Sequence, residues 1–149
     1  MMIRLFHRFA WTGLLALILV SVVGALAAAN KVPKSGVDDI SYPITANDLK
    51  PPECAGLNLS TIVAGRGKIK GGHYSSLILG SPDADDIDAG PGTDCVLGGG
   101  GNDILRGQNG GDVLLGGPDD DDLNGGNGVD ACYGGPGTDT FSNCETWVQ

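Results

Sequence analysis

From Gly80 to Ser142 an apolar residue returns at every ninth position, namely Ile87, Val96, Leu105, Leu114, Leu123, Cys132 and Phe141, and most of what lies between is Gly and Asp. In that register the segment is seven ungapped nonapeptides: GSPDADDID, AGPGTDCVL, GGGGNDILR, GQNGGDVLL, GGPDDDDLN, GGNGVDACY and GGPGTDTFS. The apolar residue is the eighth of each. The sixth is Asp throughout, as Asp85, Asp94, Asp103, Asp112, Asp121, Asp130 and Asp139. A fixed short period of this kind points to a solenoid. Gly at the first, second and fourth positions allows positive φ and close backbone approach, so the first six residues predict a tight turn whose carbonyls can face a cation. The last three predict a short strand, with the eighth side chain on one face and the seventh and ninth on the other. Only the eighth is then expected to build the interior.

The same register runs backwards from Gly80. Ile69 and Ile78 fall on eighth positions, but the matching sixth positions are Gly67 and Ser76. Thr61 to Leu79 is therefore expected to form a capping turn that continues the solenoid without metal. Residues 30–60 carry Pro33, Pro43, Pro51 and Pro52 among polar residues and show no period, which reads as an extended arm or linker with room for a strand near Ile40 to Ile44. At the start of the chain an apolar run, Phe9 to Val23, follows Arg4 and Arg8 and precedes Ala25-Leu26-Ala27 and Ala27-Ala28-Ala29. This is the pattern of a secretory signal peptide over residues 1–29. The alternative is an uncleaved anchor, because Phe9 to Ala29 reaches the roughly 20 residues that span a bilayer. Either way the rest of the chain is expected outside the cell, secreted or surface-exposed.

Composition sharpens this. Gly is 26 of 149 residues and aromatics are 5%, so a core of large side chains is unexpected and something other than bulk hydrophobic burial must hold the fold. Between Gly80 and Ser142 there are thirteen Asp and one base, Arg106, whereas residues 30–79 hold six Lys or Arg against four acids. The acidic half suits cations and repels nucleic acid. Four cysteines, Cys54, Cys95, Cys132 and Cys144, all lie beyond the leader. An even number in an exported chain argues for two disulfides, and the lack of a C-x-x-C pair or a nearby His disfavours zinc.

The repeats resemble the RTX (repeats-in-toxin, hemolysin-type calcium-binding) family, whose pattern is GGxGxDxUx with U a large apolar residue. The resemblance covers 63 of 149 residues. It implies an all-β fold, a right-handed parallel β-roll (β-solenoid) in which two nonapeptides make one turn and residues eighteen apart stack. On that stacking Asp85, Asp103, Asp121 and Asp139 line one edge and Asp94, Asp112 and Asp130 the other. These seven are the expected metal ligands. Carboxylates and carbonyls without soft donors select a hard cation, and a flexible oxygen cage favours Ca²⁺ over Mg²⁺. If each ion sits between two stacked turns, the gaps give about five sites. Asp83 and Asp119 in place of Gly at the fourth position, and Ser81, Ala89 and Gln108 at the first or second, make the first and fifth repeats weaker candidates. The stacking also keeps Cys95 and Cys132 apart, which favours Cys54–Cys95 and Cys132–Cys144.

Other motifs carry less. Asp120-x-Asp122-x-Asn124-Gly125 opens like an EF-hand loop, but Ala131 stands where a bidentate Glu is needed. The Gly runs are not followed by Gly-Lys-Ser/Thr, so they do not read as a phosphate loop. Asp119, Asp120 and Asp122 read as a solvated charge run, His73 as a surface residue, and Asn58-Leu59-Ser60 as a sequon by pattern alone. The expected function is a non-enzymatic extracellular calcium-binding module whose folding is coupled to Ca²⁺. The alternatives are a Ca²⁺-rigidified structural or adhesive spacer and, more remotely, a fragment of an RTX toxin or hydrolase. No protein partner is indicated.

Overall fold

The computed structural model describes residues 43–149. The leader over residues 1–29, and the part of the arm up to Tyr42, lie outside the described residues. Apart from one short helix, α1 (Ala46–Leu49), and a single 3₁₀ turn at Pro52–Cys54, the described residues are all strand and turn. Among the described residues no helix is long and apolar enough to cross a membrane.

Eleven short strands follow: β1 (Thr61–Ala64), β2 (Lys68–Lys70), β3 (Ser76–Leu79), β4 (Asp86–Asp88), β5 (Cys95–Leu97), β6 (Ile104–Asn109), β7 (Val113–Leu115), β8 (Asp122–Asn127), β9 (Ala131–Tyr133), β10 (Thr140–Ser142) and β11 (Thr146–Val148). Each nonapeptide contributes its last three residues to a strand, and alternate strands stack into two parallel sheets, β1-β3-β5-β7-β9-β11 and β2-β4-β6-β8-β10. Ile87 pairs with Leu105, and Val96 with Leu114, so the register is eighteen residues per turn. The capping turn keeps it: Ile69 pairs with Ile87 and Ile78 with Val96. The result is a parallel β-roll.

Eighth-position side chains fill the interior. One column runs Ile69, Ile87, Leu105, Leu123, Phe141 and the facing one Ile78, Val96, Leu114, Cys132, and the members from Ile69 through Cys132 are buried. Trp147 pairs with Cys132 and stacks on Phe141 with ring centroids 5.5 Å apart, an aromatic lid on the last turn.

A second apolar layer lies outside the first sheet. The seventh and ninth residues of its strands are Leu77 and Leu79, Cys95 and Leu97, Val113 and Leu115, Ala131 and Tyr133. Residues of the arm, Ala46, Cys54, Leu57 and Leu59, pack on this face and leave Leu77 and Cys95 with no exposure. The expectation that only eighth positions build a core is thus corrected. The outer face of the other sheet carries Lys68, Lys70, Asp86, Asp88, Arg106 and Asn124, and Arg106 donates to Asp86. The physical reason is that the true period is eighteen: even-numbered repeats read apolar at seven, eight and nine, whereas odd-numbered ones, apart from Ile104, are apolar at eight alone.

The arm is tied down. Asn47 donates from Nδ2 to Leu59 O at 2.8 Å and accepts from Leu59 N at Oδ1 at 2.9 Å, copying a backbone pair. Cys54 is bonded to Cys95 on the sheet face. Of the strand expected near Ile40 to Ile44, the part up to Tyr42 lies outside the described residues, and Pro43 and Ile44 form no strand.

Left-handed backbone recurs at two places in the turn. The second and fourth positions have positive φ in repeats two through six, from Gly90 and Gly92 to Gly126 and Gly128. Two of these are not glycine: Gln108 at φ 80 and Asp119 at φ 83. An L-residue in that region costs about 1–2 kcal/mol. Asp119 recovers part of this through a bond from Gly101 N to its Oδ2 at 3.1 Å. Gln108→Gly is therefore expected to stabilise the calcium-loaded protein by about 0.5–1 kcal/mol, the strain relieved less the extra unfolded-state entropy of glycine. A urea midpoint that falls in this variant would contradict the assignment of strain.

Candidate metal centre

The turn geometry brings the sixth-position aspartates into two ladders, one on each edge of the roll. In each, the carboxylate of one turn reaches back to the backbone of the turn before. Asp103 Oδ1 accepts from Asp85 N at 2.7 Å, Asp121 from Asp103 N at 2.8 Å and Asp139 from Asp121 N at 2.8 Å. On the other edge Asp94 accepts from Ser76 N and Asp112 from Asp94 N, both at 2.7 Å, and Asp130 from Asp112 N at 2.8 Å. Asp85 accepts from Gly67 N. All seven expected ligands thus stand in the two rows that the eighteen-residue stacking requires.

Their second oxygens separate them. Oδ2 of Asp94, Asp103, Asp112, Asp121 and Asp130 is buried with no hydrogen-bond partner. These side chains are 0–3% exposed. An ionised carboxylate held this way, with one N–H and no counter-charge, is among the most costly groups a protein can bury. Asp85 and Asp139 differ. Ser81 donates to Asp85 Oδ2 from its backbone N at 2.6 Å and from Oγ at 2.9 Å, and Gln149 Nε2 donates to Asp139 Oδ2 at 2.8 Å. Ser81, where glycine is the rule, thus satisfies the oxygen that the inner repeats leave free.

The lone oxygens point toward first-position glycines. A Cβ built on Gly98 would collide with Asp103 Oδ2 and stand 2.7 Å from Gly116 O of the next turn, and one on Gly116 would collide with Asp121 Oδ2 and stand 2.8 Å from Gly134 O. Gly107 and Gly125 repeat this with Asp112 and Asp130. At Gly98, Gly107, Gly116 and Gly125 glycine is therefore required by space, not by φ. At Asp94 the first position is Ala89, which brings a methyl group to that place. No three His, Cys, Asp or Glu side chains gather at one point among the described residues. A cation held here would draw on a carboxylate oxygen from each turn and on main-chain carbonyls, the donor types of a hard ion such as Ca²⁺. An unpartnered buried oxygen in each inner repeat, beside a carbonyl of the next, fits that ion.

Electrostatics say the same. Burial pushes the carboxyls of Asp94, Asp103 and Asp121 up to about 6 and that of Asp112 to about 7, against the pull of the N–H bond each accepts. Asp103 is raised further by Asp121 and Asp85, and Asp112 by Asp94 and Asp130. Burial raises Asp130 as well. In the metal-free roll burial thus shifts all five groups toward the protonated form.

Sequence reasoning passed over three residues at the ends of the rows. Ser81 was visible as a departure from glycine, though its hydrogen bonds were not. Gln149 and Glu145, whose Oε2 accepts from Asp130 N at 2.7 Å, lie outside the nonapeptide register. The four-aspartate run divides as its positions require: Asp121 is buried, while Asp119, Asp120 and Asp122 are exposed and accept hydrogen bonds from Gly101 N, Thr138 N and Thr140 Oγ1. Asp122 and Asn124 lie along β8, so the EF-hand-like string forms no loop. His73 is exposed.

No curated protein and no solved structure matches the chain. The family model described as RTX calcium-binding nonapeptide repeat (4 copies) matches residues 71–105 and again 106–141. Its second match ends at Phe141, the last eighth position of the array. With stacked aspartates, glycine turns and two parallel sheets, this array belongs to the RTX calcium-binding nonapeptide repeats, which bind Ca²⁺ ions at multiple sites.

Proposed function

We propose that this is a secreted, non-catalytic calcium-binding protein whose roll folds when Ca²⁺ neutralises its buried aspartates. The observation that carries the reading is the set of five buried carboxylate oxygens without partners, at Asp94, Asp103, Asp112, Asp121 and Asp130. Nothing but a cation between the turns both neutralises and coordinates them. Asp85 and Asp139 close the two ends of the first row as its outer ligands. Glycine-rich turns add a large ordering entropy, so metal binding and folding become one process. Export is supported by the leader pattern of residues 1–29 and by the two disulfides, which persist in oxidising compartments. A non-catalytic role is supported by the use of the array's polar groups in cross-turn hydrogen bonds. Release from the cell is favoured over retention by an anchor because small residues follow the apolar run.

A calcium titration followed by circular dichroism tests this on the disulfide-intact protein. The strand signal is expected to be weak in excess chelator and to rise cooperatively as Ca²⁺ enters the range from roughly micromolar to millimolar. Asp112→Ala, which removes the middle carboxylate of its row, is expected to lower the number of bound ions. Identical spectra with chelator and with saturating Ca²⁺ would overturn the coupling.

A further inference from the structure

The row through Asp94, Asp112 and Asp130 runs past the end of the nonapeptides. A regular eighth repeat would begin at Asn143 and place its aspartate at position 148, but that position is Val148, paired with Tyr133 in the sheet. The chain arrives three residues early, since Thr146 pairs with Ala131 fifteen residues before it. Even so, each contact of an inner turn is reproduced. Asn143 O stands in the place of a first-position carbonyl: a Cβ on Gly125 would collide with it and lie 2.7 Å from Asp130 Oδ2, as one on Gly107 would meet Gly125 O and Asp112 Oδ2. Glu145 Oε2 accepts from Asp130 N at 2.7 Å, as Asp130 Oδ1 accepts from Asp112 N at 2.8 Å. Its extra methylene spans the shortened loop. Asp130 Oδ2 is left as in the inner turns, with the side chain 1% exposed and the oxygen without a partner. Between the two tail residues sits Cys144, bonded to Cys132 of the interior column.

We propose that Asp130, Asn143 O and Glu145 form a calcium site that closes the second row, with Glu145 in the role of a sixth-position aspartate and the Cys132–Cys144 disulfide holding the tail in place. This rests on the reading of the buried aspartates as calcium ligands. It changes which five sites exist: the gap between Asp85 and Asp103 is weakened by Ser81, and a gap between Asp130 and Glu145 is added. It also ties the last site to oxidation, because the disulfide fixes Cys144, which lies between Asn143 and Glu145, to Cys132 inside the roll.

Trp147 lies two residues from Glu145, and Trp11 is the only other tryptophan. In full-length protein carrying Trp11→Phe, terbium used as a luminescent stand-in for calcium and excited through tryptophan therefore reports on this end of the roll. Glu145→Gln keeps an oxygen for Asp130 N and removes the charge, so the fold is retained. It is expected to lower the calcium count in native mass spectrometry by one and to weaken the tryptophan-sensitised terbium site about tenfold or more. Paired Cys132→Ala and Cys144→Ala substitutions are expected to do the same, and Glu53→Gln to change neither reading. Unchanged count and emission in Glu145→Gln overturn the site, and loss only in the cysteine variant removes Glu145 as a ligand. A parent protein that binds no calcium would instead refute the reading on which the site rests.

Discussion

With calcium removed by excess chelator, acidification is expected to fold this protein, the reverse of ordinary acid denaturation. Most folded proteins lose stability in acid because their carboxylates are better stabilised as anions in the native state than in the unfolded chain. Here burial raises Asp94, Asp103 and Asp121 to about 6 and Asp112 to about 7, above the ordinary value of 3.8. A folded-state value above the unfolded one means that the native state binds the extra proton. The corresponding stability is fully present below about pH 4 and is lost as pH rises through 6 and 7. Ionising Asp112 alone in the metal-free roll costs on the order of 4 kcal/mol, and stability of a whole domain is only about 5–15 kcal/mol. At pH 8 without metal the roll should therefore be open, and between pH 7 and 5 the strand signal in circular dichroism should return. Asp112→Asn, which keeps an oxygen for Asp94 N and has no charge to bury, should fold at higher pH in chelator than the parent while binding less calcium. A metal-free chain whose strand signal declines steadily from pH 8 to pH 5 would show that the carboxylates are not buried as described.

Calcium and protons then compete for the same oxygens. Calcium affinity should weaken as pH falls toward 6, and binding at neutral pH should release few protons because the open chain is already ionised.

Why so much of this was legible lies in the local character of a solenoid. Register, strand position and the two aspartate rows follow from residues nine and eighteen apart, with no long-range packing to override them. Three features escaped, each for a definable reason. The outer apolar layer depends on comparing Val113 and Leu115 with Asp86 and Asp88, a difference that a nine-residue period averages away. The packing of the arm depends on Asn47 and Leu59 closing a small loop by side-chain hydrogen bonds, which no periodicity announces. Glu145 depends on a three-residue deletion compensated by a longer side chain and a disulfide, so its equivalence to aspartate appears only in three dimensions. Of the two reasons expected for first-position glycine, positive φ and close approach, the structure shows the second: none of these glycines has positive φ.

That distinction between φ and space makes adjacent glycines unequal. Gly110 and Gly111 follow one another in the turn that carries Asp112, yet alanine is expected to be severe at the first and mild at the second. A Cβ on Gly110 would collide with Gly92 O of the preceding turn, and φ is +139°, where side chains are rarely accepted. The carbonyl cannot retreat, because the same collision recurs one turn on, between Gly128 and Gly110 O. Relief requires the turns to separate where the Asp94 and Asp112 carboxylates are stacked. Gly110→Ala should thus lose more than about 3 kcal/mol of stability in saturating calcium and weaken the ions on either side of Asp112. On Gly111 the added Cβ meets only Val129 O at 3.2 Å, which a shift of a few tenths of an ångström relieves. Gly111→Ala should stay within about 1 kcal/mol of the parent and keep its calcium count. Urea midpoints and native mass spectra of the two variants decide the matter. Equal losses would mean that turn flexibility, rather than contact between stacked turns, is what these glycines provide.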